Sequence, residues 1–392
     1  MIPFNLGKLP RIYFGPGKLA ELPRLISEIA RSVLIITGAS SFYGSEKWGC
    51  LTDDLTGRGI THFHASVNGE PSPELVDDIT GQYRDKKPGV VVAIGGGSVM
   101  DTGKAVSAML PKNESVKNYL EGFQGAVAHD GVKTPFVAIP TTAGTGSEAA
   151  KNAVLSQVGP DGFKCSIRHD NFVPDISIVD PELMVSCPPP VTAACGMDAF
   201  VQLLESFVST NANALTDALA ASGLEQIRDC LTAAYRDGKD IAARTGMAYA
   251  ALMSGITLSH AGLGVVHGFA SVLGGFFDIP HGVICGTMIG AATRTNIRYL
   301  KERDGGLTFL DKYARVGAIL ASRAYVPEYR EEHLDFLVRQ MDTWTEAFRL
   351  PRLGAFGVGF HDLHRIIQHT ENKNNPVKLD KIGIKEILLV SI

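Results

Sequence analysis

Four residues in the second half of the chain could share one chemistry. Asp198 and Gln202 stand four apart in GMDAFVQLLESFVS, and His267 and His281 fall within GVVHGFASVLGGFFDIPHGV. A carboxylate, an amide and two imidazoles on otherwise apolar segments are costly to bury unless they share a partner, and a divalent metal suits this set. Spacing of four puts Asp198 and Gln202 on one face of a helix. His267 and His281 can converge only if the chain bends between them, which Gly274, Gly275 and Pro280 permit. A lone buried histidine is more often a hydrogen-bonded core residue; beside Asp198 the pair reads as a ligand set.

A second chemistry lies in the first half. The apolar run VVVAIGG leads straight into GGGSVMDTGKAVSAML. Gly95, Gly96 and Gly97 let backbone approach an anion, and the helix that follows offers free N–H groups and the positive end of its dipole. Strand, glycine turn and helix in that order read as a phosphate site, with Asp101 just beyond the turn. PTTAGTGSE, after the strand TPFVAIP, adds the hydroxyls of Thr141, Thr142 and Thr145, suited to ribose and phosphate oxygens or to capping a helix. Two such loops at neighbouring strand ends favour the nucleotide. The strand SVLIITG ends at Gly38 with no carboxylate to repel a 2′-phosphate, and Ser40 and Ser41 can donate to one. NADP(H) is therefore expected over NAD(H).

These loops need a scaffold, and the periodicity supplies one. Apolar β-branched runs (SVLIITG, THFHASV, VVVAIGG, TPFVAIP and a last one at 176–179) alternate with helical stretches, as in a doubly wound, mostly parallel α/β sheet of Rossmann-like type. After Pro188, Pro189 and Pro190 the pattern is helical almost throughout, giving an all-α C-terminal domain. The boundary is placed at 184, with a dinucleotide-binding domain over 1–184 and a metal- and substrate-binding domain over 185–392. Segments 234–243 and 300–306 are charged and read as solvated loops or helix ends.

The length of 392 residues and a hydrophobic share of 45% accommodate two such units. A net charge of −4 with both signs interspersed gives no basic stripe, so neither nucleic acid nor an anionic membrane is expected as partner. With no recognisable secretory signal and no run of about twenty apolar residues, the chain is expected to be soluble and cytoplasmic. Six cysteines without CxxC spacing read as reduced structural thiols. Cys195 and Cys285 lie near the metal residues but have no cysteine neighbour, and this reading leaves them out of the site.

GGGSVMDTGKA at 95–105, PTTAGTGSE at 140–148, VDPEL at 179–183, GMDA at 196–199, AGLGVVHG at 261–268, PHGV at 280–283 and NKNNP at 372–376 together resemble the iron-containing, or group III, alcohol dehydrogenases. The resemblance spans almost the whole chain and implies a dehydroquinate synthase-like fold. It implies that Gly96, Gly97 and Ser98 hold the pyrophosphate, that Asp101 lies near the nicotinamide, and that Thr141, Thr142, Thr145, Lys164 and Leu183 border the cofactor. The family's metal set is one Asp and three His, one of them four residues after the Asp. Gln202 stands there instead, and Ser271 replaces a histidine four residues after His267 that is thought to pass protons.

Three arrangements stay open. Gln202 ligates; the metal, Fe²⁺ or Zn²⁺, keeps three protein ligands and a water; or the site is metal-free. The expected reaction is NAD(P)-dependent interconversion of a small alcohol and its aldehyde or ketone, the metal acting as Lewis acid, with Ser271 or, more weakly, His260 as proton relay. The alternatives are a metal-independent maleylacetate-type reductase and a sugar-phosphate cyclase-like lyase using NAD and zinc. A homodimer is the expected assembly.

Overall fold

The computed structural model describes residues 3–392, so the first two positions of the N-terminal unit lie outside the described residues. Its first half is built on a six-stranded parallel sheet: β1 (Arg11–Phe14), β2 (Ser32–Gly38), β3 (Thr61–Val67), β4 (Val90–Gly95), β5 (Phe136–Pro140) and, later in the chain, β8 (Ile176–Val179). Their spatial order is β1-β8-β5-β4-β2-β3. Connecting helices α1 (Leu22–Ile29), α2 (Glu46–Gly57), α3 (Pro73–Tyr83) and α4 (Gly97–Met109) cover the sheet. Strand side chains alternate between two apolar layers. Leu34, Ile36, Val91 and Ala93 face one, and Val33, Ile35, Val90 and Val92 the other. Burial on both faces accounts for the unbroken apolar runs. The Ser-Pro-Glu start of α3 is a cap, with Ser72 Oγ accepting the Leu75 N–H.

The strand order fixes where a ligand can lie. From β2 the chain winds outward to β3 and then crosses back to β4 on the other side of β2. The crevice outside the carboxyl ends of β2 and β4 is thus the topological switch point of the sheet. Gly38 and Gly95, which end those two strands, flank it.

One element has no counterpart in the sequence reading. Between β5 and β8 an antiparallel hairpin, β6 (Asn152–Gln157) with β7 (Phe163–Arg168), leaves the main sheet. It reaches the helical half: a Cβ on Gly275 would lie 3.0 Å from the Phe163 backbone, and the Gly159 N–H donates to the Gly275 carbonyl.

The remaining chain is helical: α5 (Pro189–Val208), α6 (Ala214–Arg236), α7 (Ile241–Ala261), α8 (Val265–Phe276), α9 (His281–Lys301), α10 (Leu307–Leu320), α11 (Arg330–Ala347), α12 (Leu363–His369) and α13 (Lys381–Ser391). The sheet's last strand ends at Val179 and α5 begins at Pro189, either side of residue 184. By length and composition α5 could cross a membrane, but 89% of its most apolar window is buried within the fold. Apolarity there serves the core. Helices α7 and α8 meet at 100° across Gly262–Gly264, where Gly262 takes φ +76°.

Candidate metal centre and nucleotide crevice

α5 carries Asp198 and Gln202 on one face, as their spacing predicts, and both are almost fully buried, at 2% and 3% exposure. His267 sits in the first turn of α8. His281 opens α9, just after Pro280, and the non-helical link 277–280 turns the chain so that the two imidazole rings lie 5.4 Å apart. Asp198 Oδ1 is 3.5 Å from His267 Nε2 and 3.6 Å from His281 Nε2. That oxygen is buried and has no hydrogen-bond partner. The group that joins them is Cys285, one turn after His281 on α9, whose Sγ lies 3.8 Å from each Nε2. One donor atom from each of the four residues falls within 4.8 Å of every other.

The exclusion of Cys285 from the site is therefore corrected. Short Cys–Cys spacing is one way to recognise a thiol ligand, but a histidine four residues away on a helix serves as well, and tertiary folding supplies the rest. Cys195 does stand apart from the four-donor cluster: its Cβ lies 2.8 Å from where a Cβ on Gly144 would be, so it packs against the second small-residue loop. Gln202 is placed beside Asp198, with the Ser254 hydroxyl donating to its amide oxygen at 2.6 Å.

Glu205 was not singled out from the sequence, although it follows Asp198 by seven residues and so shares its helix face. Its carboxylate accepts the N–H groups of Gly264 and Val266, at 2.9 and 2.8 Å, and the His267 Nδ1–H at 2.7 Å. This caps α8 and holds the Nδ1 side of the His267 ring, so that Nε2 is turned toward Asp198. A carboxylate behind an imidazole is the usual outer support of a metal ligand.

Electrostatics follow the packing. Burial pushes the Cys285 thiol up to about 12 and His281 down to about 3, leaving His281 a neutral base. Burial works to raise Asp198, yet the facing imidazoles hold it below the ordinary carboxylate range. His267 is held well above the histidine range against the burial penalty, by the Cys285 sulfur and by the carboxylates of Asp198 and Glu205.

The proton-relay candidates fall outside this cluster. Ser271 Oγ donates back to the His267 carbonyl at 2.9 Å and accepts from Lys373 Nζ at 3.2 Å. His260 is tied up structurally, with Nδ1 on the Ile256 carbonyl and Nε2 accepting the Gly7 N–H. Lys373 lies within the NKNNP run at 372–376.

On the sheet side, Gly96 caps α4 and leaves the amides of Gly97 and Ser98 without intrahelical partners. The two small-residue loops touch: a Cβ on Gly97 would lie 2.6 Å from Thr145 Cγ2, and one on Gly96 about 3.5 Å from Thr142 Oγ1. Asp101 faces inward rather than into open space. It accepts from Ser147 Oγ at 2.6 Å and from the Val154 N–H at 3.1 Å. Beneath it, fully buried Lys104 reaches the carbonyls of Ser147, Ala150 and Asn152, each at 2.8 Å. Burial lowers this ammonium to about 8, which keeps it charged at neutral pH among oxygen acceptors. Lys104, in the same GGGSVMDTGKA run, thus fastens the second loop to α4.

Lys164 on β7 bonds Glu70 at 3.1 Å, and its Cδ lies 3.0 Å from a Cβ built on Gly274 of α8, so it joins the hairpin to the helical half. Leu183 is buried in one apolar layer of the sheet. Ser40 and Ser41 are exposed just past the end of β2.

A buried, unpartnered carboxylate oxygen thus lies among two imidazoles and a thiol, in a chain whose parallel sheet carries two glycine loops at its switch point. Residues 10–181 match the profile of iron-containing alcohol dehydrogenase, and residues 192–392 that of the Fe-containing alcohol dehydrogenase family, C-terminal. The chain belongs to the iron-containing alcohol dehydrogenase family.

Among its relatives, alcohol dehydrogenase 4 of Saccharomyces cerevisiae (strain YJM789) is 31% identical over 389 residues, covering 97% of this chain and 96% of that protein. The NAD-dependent methanol dehydrogenase of Bacillus methanolicus is 36% identical over 278 residues, 70% of this chain and 71% of that one. A crystal structure of an archaeal halo-thermophilic alcohol dehydrogenase from a Red Sea brine pool superposes with a TM-score of 0.89 at 25% identity, covering 100% of this chain and 99% of the other. The matches favour neither the sugar-phosphate cyclase nor the maleylacetate reductase alternative.

Proposed function

We propose that this protein interconverts a small alcohol and its aldehyde or ketone by hydride transfer with a nicotinamide dinucleotide, at a metal centre held by Asp198, His267 and His281. The observation that carries the reading is the buried Asp198 Oδ1, without a hydrogen-bond partner and within 3.6 Å of two imidazole nitrogens. A buried carboxylate oxygen with no hydrogen-bond partner is suited to a cation.

The neighbouring residues divide the remaining work. Glu205 orients His267. Asp101 and Lys104 hold the 140–152 segment in place, so that the amides of Gly97 and Ser98 and the hydroxyls of Thr141, Thr142 and Thr145 present a fixed surface to the pyrophosphate and ribose. Cys195, three residues before Asp198 on α5, packs on Gly144, which brings the metal face of α5 to the rim of that crevice. A divalent metal held there would supply Lewis acidity toward the substrate oxygen.

On the choice of cofactor, the relatives support NAD(H), since the Bacillus methanolicus enzyme is named NAD-dependent. The expectation of NADP(H) rests only on the carboxylate-free end of β2. Homodimerisation and a cytoplasmic location belong to the same reading.

The test is nicotinamide absorbance during aldehyde reduction and alcohol oxidation, run in parallel with NADH and NADPH, before and after chelator dialysis and metal add-back. The expected outcome is substrate-dependent oxidation of cofactor, lost on metal removal and restored by a divalent ion. Aldehyde turnover with no change in cofactor would refute the dehydrogenase reading, and full activity in metal-stripped protein the metal.

A further inference from the structure

We propose that the fourth protein ligand of the metal is Cys285, so that the centre is an Asp-His-His-Cys set rather than one completed by Gln202. This rests on the reading that Asp198, His267 and His281 hold a divalent metal.

Geometry carries the argument. Donors about 2.0–2.3 Å from a tetrahedral zinc stand roughly 3.3–3.6 Å apart. The carboxylate-to-imidazole separations here are 3.5 and 3.6 Å, and the sulfur-to-imidazole separations are both 3.8 Å. Contraction by a few tenths of an ångström about an ion would bring these four pairs to coordination spacing, and the remaining pairs lie within 4.8 Å. Cys285 Sγ is equidistant from the two imidazole nitrogens, as the fourth corner must be. The second, independent sign is the unpartnered Asp198 Oδ1, on a residue 2% exposed, which faces the same space.

Gln202 has other engagements. Its amide oxygen accepts from Ser254 at 2.6 Å, a satisfied hydrogen bond within the α5–α7 interface. Relative to the ligand set that the family resemblance implies, the fourth donor has moved from the position four residues after Asp198 to the position four residues after His281. Cys285 would hold a divalent ion as the thiolate, its proton passing to solvent. A thiolate makes the donor set softer, favouring zinc over a harder divalent ion.

Cobalt(II) reconstitution of the stripped, full-length protein, without nucleotide, tests this by absorption spectroscopy. The expected result is one cobalt per chain, visible ligand-field bands of a four-coordinate ion, and a near-ultraviolet thiolate-to-cobalt charge-transfer band in the wild type. That band should be lost in C285S and in C285H, whose imidazole keeps a donor at the position, while the visible bands persist; Q202A should retain both. The wild-type spectrum stands even where a variant fails to fold by circular dichroism. Ligand-field bands without charge transfer in the wild type would overturn the Cys285 assignment and leave the metal reading intact. A charge-transfer band surviving in both variants would overturn it equally. Failure to bind any cobalt would overturn the metal reading along with it.

Discussion

Glu205 shows how much of a site can sit one residue behind the groups that catch the eye. Its carboxylate serves two backbone amides at the start of α8 and the Nδ1–H of His267 at once. Glu205→Gln removes the charge while keeping the shape, and outer-shell changes of this kind weaken metal binding about 10- to 100-fold. Competition against a chromophoric chelator should show a loss of that size, with the fold intact by circular dichroism. Asp198, His267 and His281 were legible because their types are rare on apolar segments. Glu205 shared the face of Asp198 at a spacing of seven and could have been read the same way. Cys285 was hidden for a different reason: a cysteine on an apolar helix is chemically indistinguishable from a core residue until the fold shows what it faces.

At the scale of elements, close backbone approach helps to lock the two halves. The PTTAGTGSE loop lies directly on α7, where Gly146, at φ +63°, meets Gly255, and a Cβ on Gly255 would sit 2.0 Å from the Gly146 carbonyl oxygen. No rotamer relieves such a clash. Gly255→Ala should cost about 1–3 kcal/mol of stability or more by denaturant unfolding. It should also raise the KM for the dinucleotide, because Thr145 moves with the loop. The strands of the main sheet were readable because burial on both faces writes them as apolar runs. The β6–β7 hairpin was not: NAVLSQ and FKCSIR are short, mixed in polarity and only part-buried, so neither periodicity stands out. Lys164 was named in advance only through the family resemblance, and the hairpin carries it against Gly274 of α8.

Stability belongs to the whole molecule, and Glu148 makes it depend on pH. Burial raises this carboxyl from 4.5 to about 7, against a backbone hydrogen bond and the nearby Lys104 ammonium. Between those values the folded protein holds more protons than the unfolded chain. The stabilisation from protonated Glu148 is therefore complete below about 4.5 and is lost as pH rises through about 7. Linkage limits the slope from one group to about 1.4 kcal/mol per pH unit. Urea unfolding across that window should show Glu148→Gln flattening the wild-type decline.

The architecture as a whole, a parallel sheet followed by helices, was readable in order from the sequence. The placement of residues 371–379 was not, because a polar turn says nothing of what it lies against. The Asn375 side-chain Oδ1 accepts from the Asn296 side-chain amide at 3.1 Å and from the Val265 N–H across 110 positions of sequence. Backbone at Glu371 crosses so close to α8 that a Cβ on Gly268 would lie 2.0 Å from its carbonyl oxygen. The helix bearing His267 is thus braced by chain made long after it. On the ribosome, His267 emerges well before its brace, so the cluster around Asp198 gains its final shape only after the 371–379 segment has followed it out.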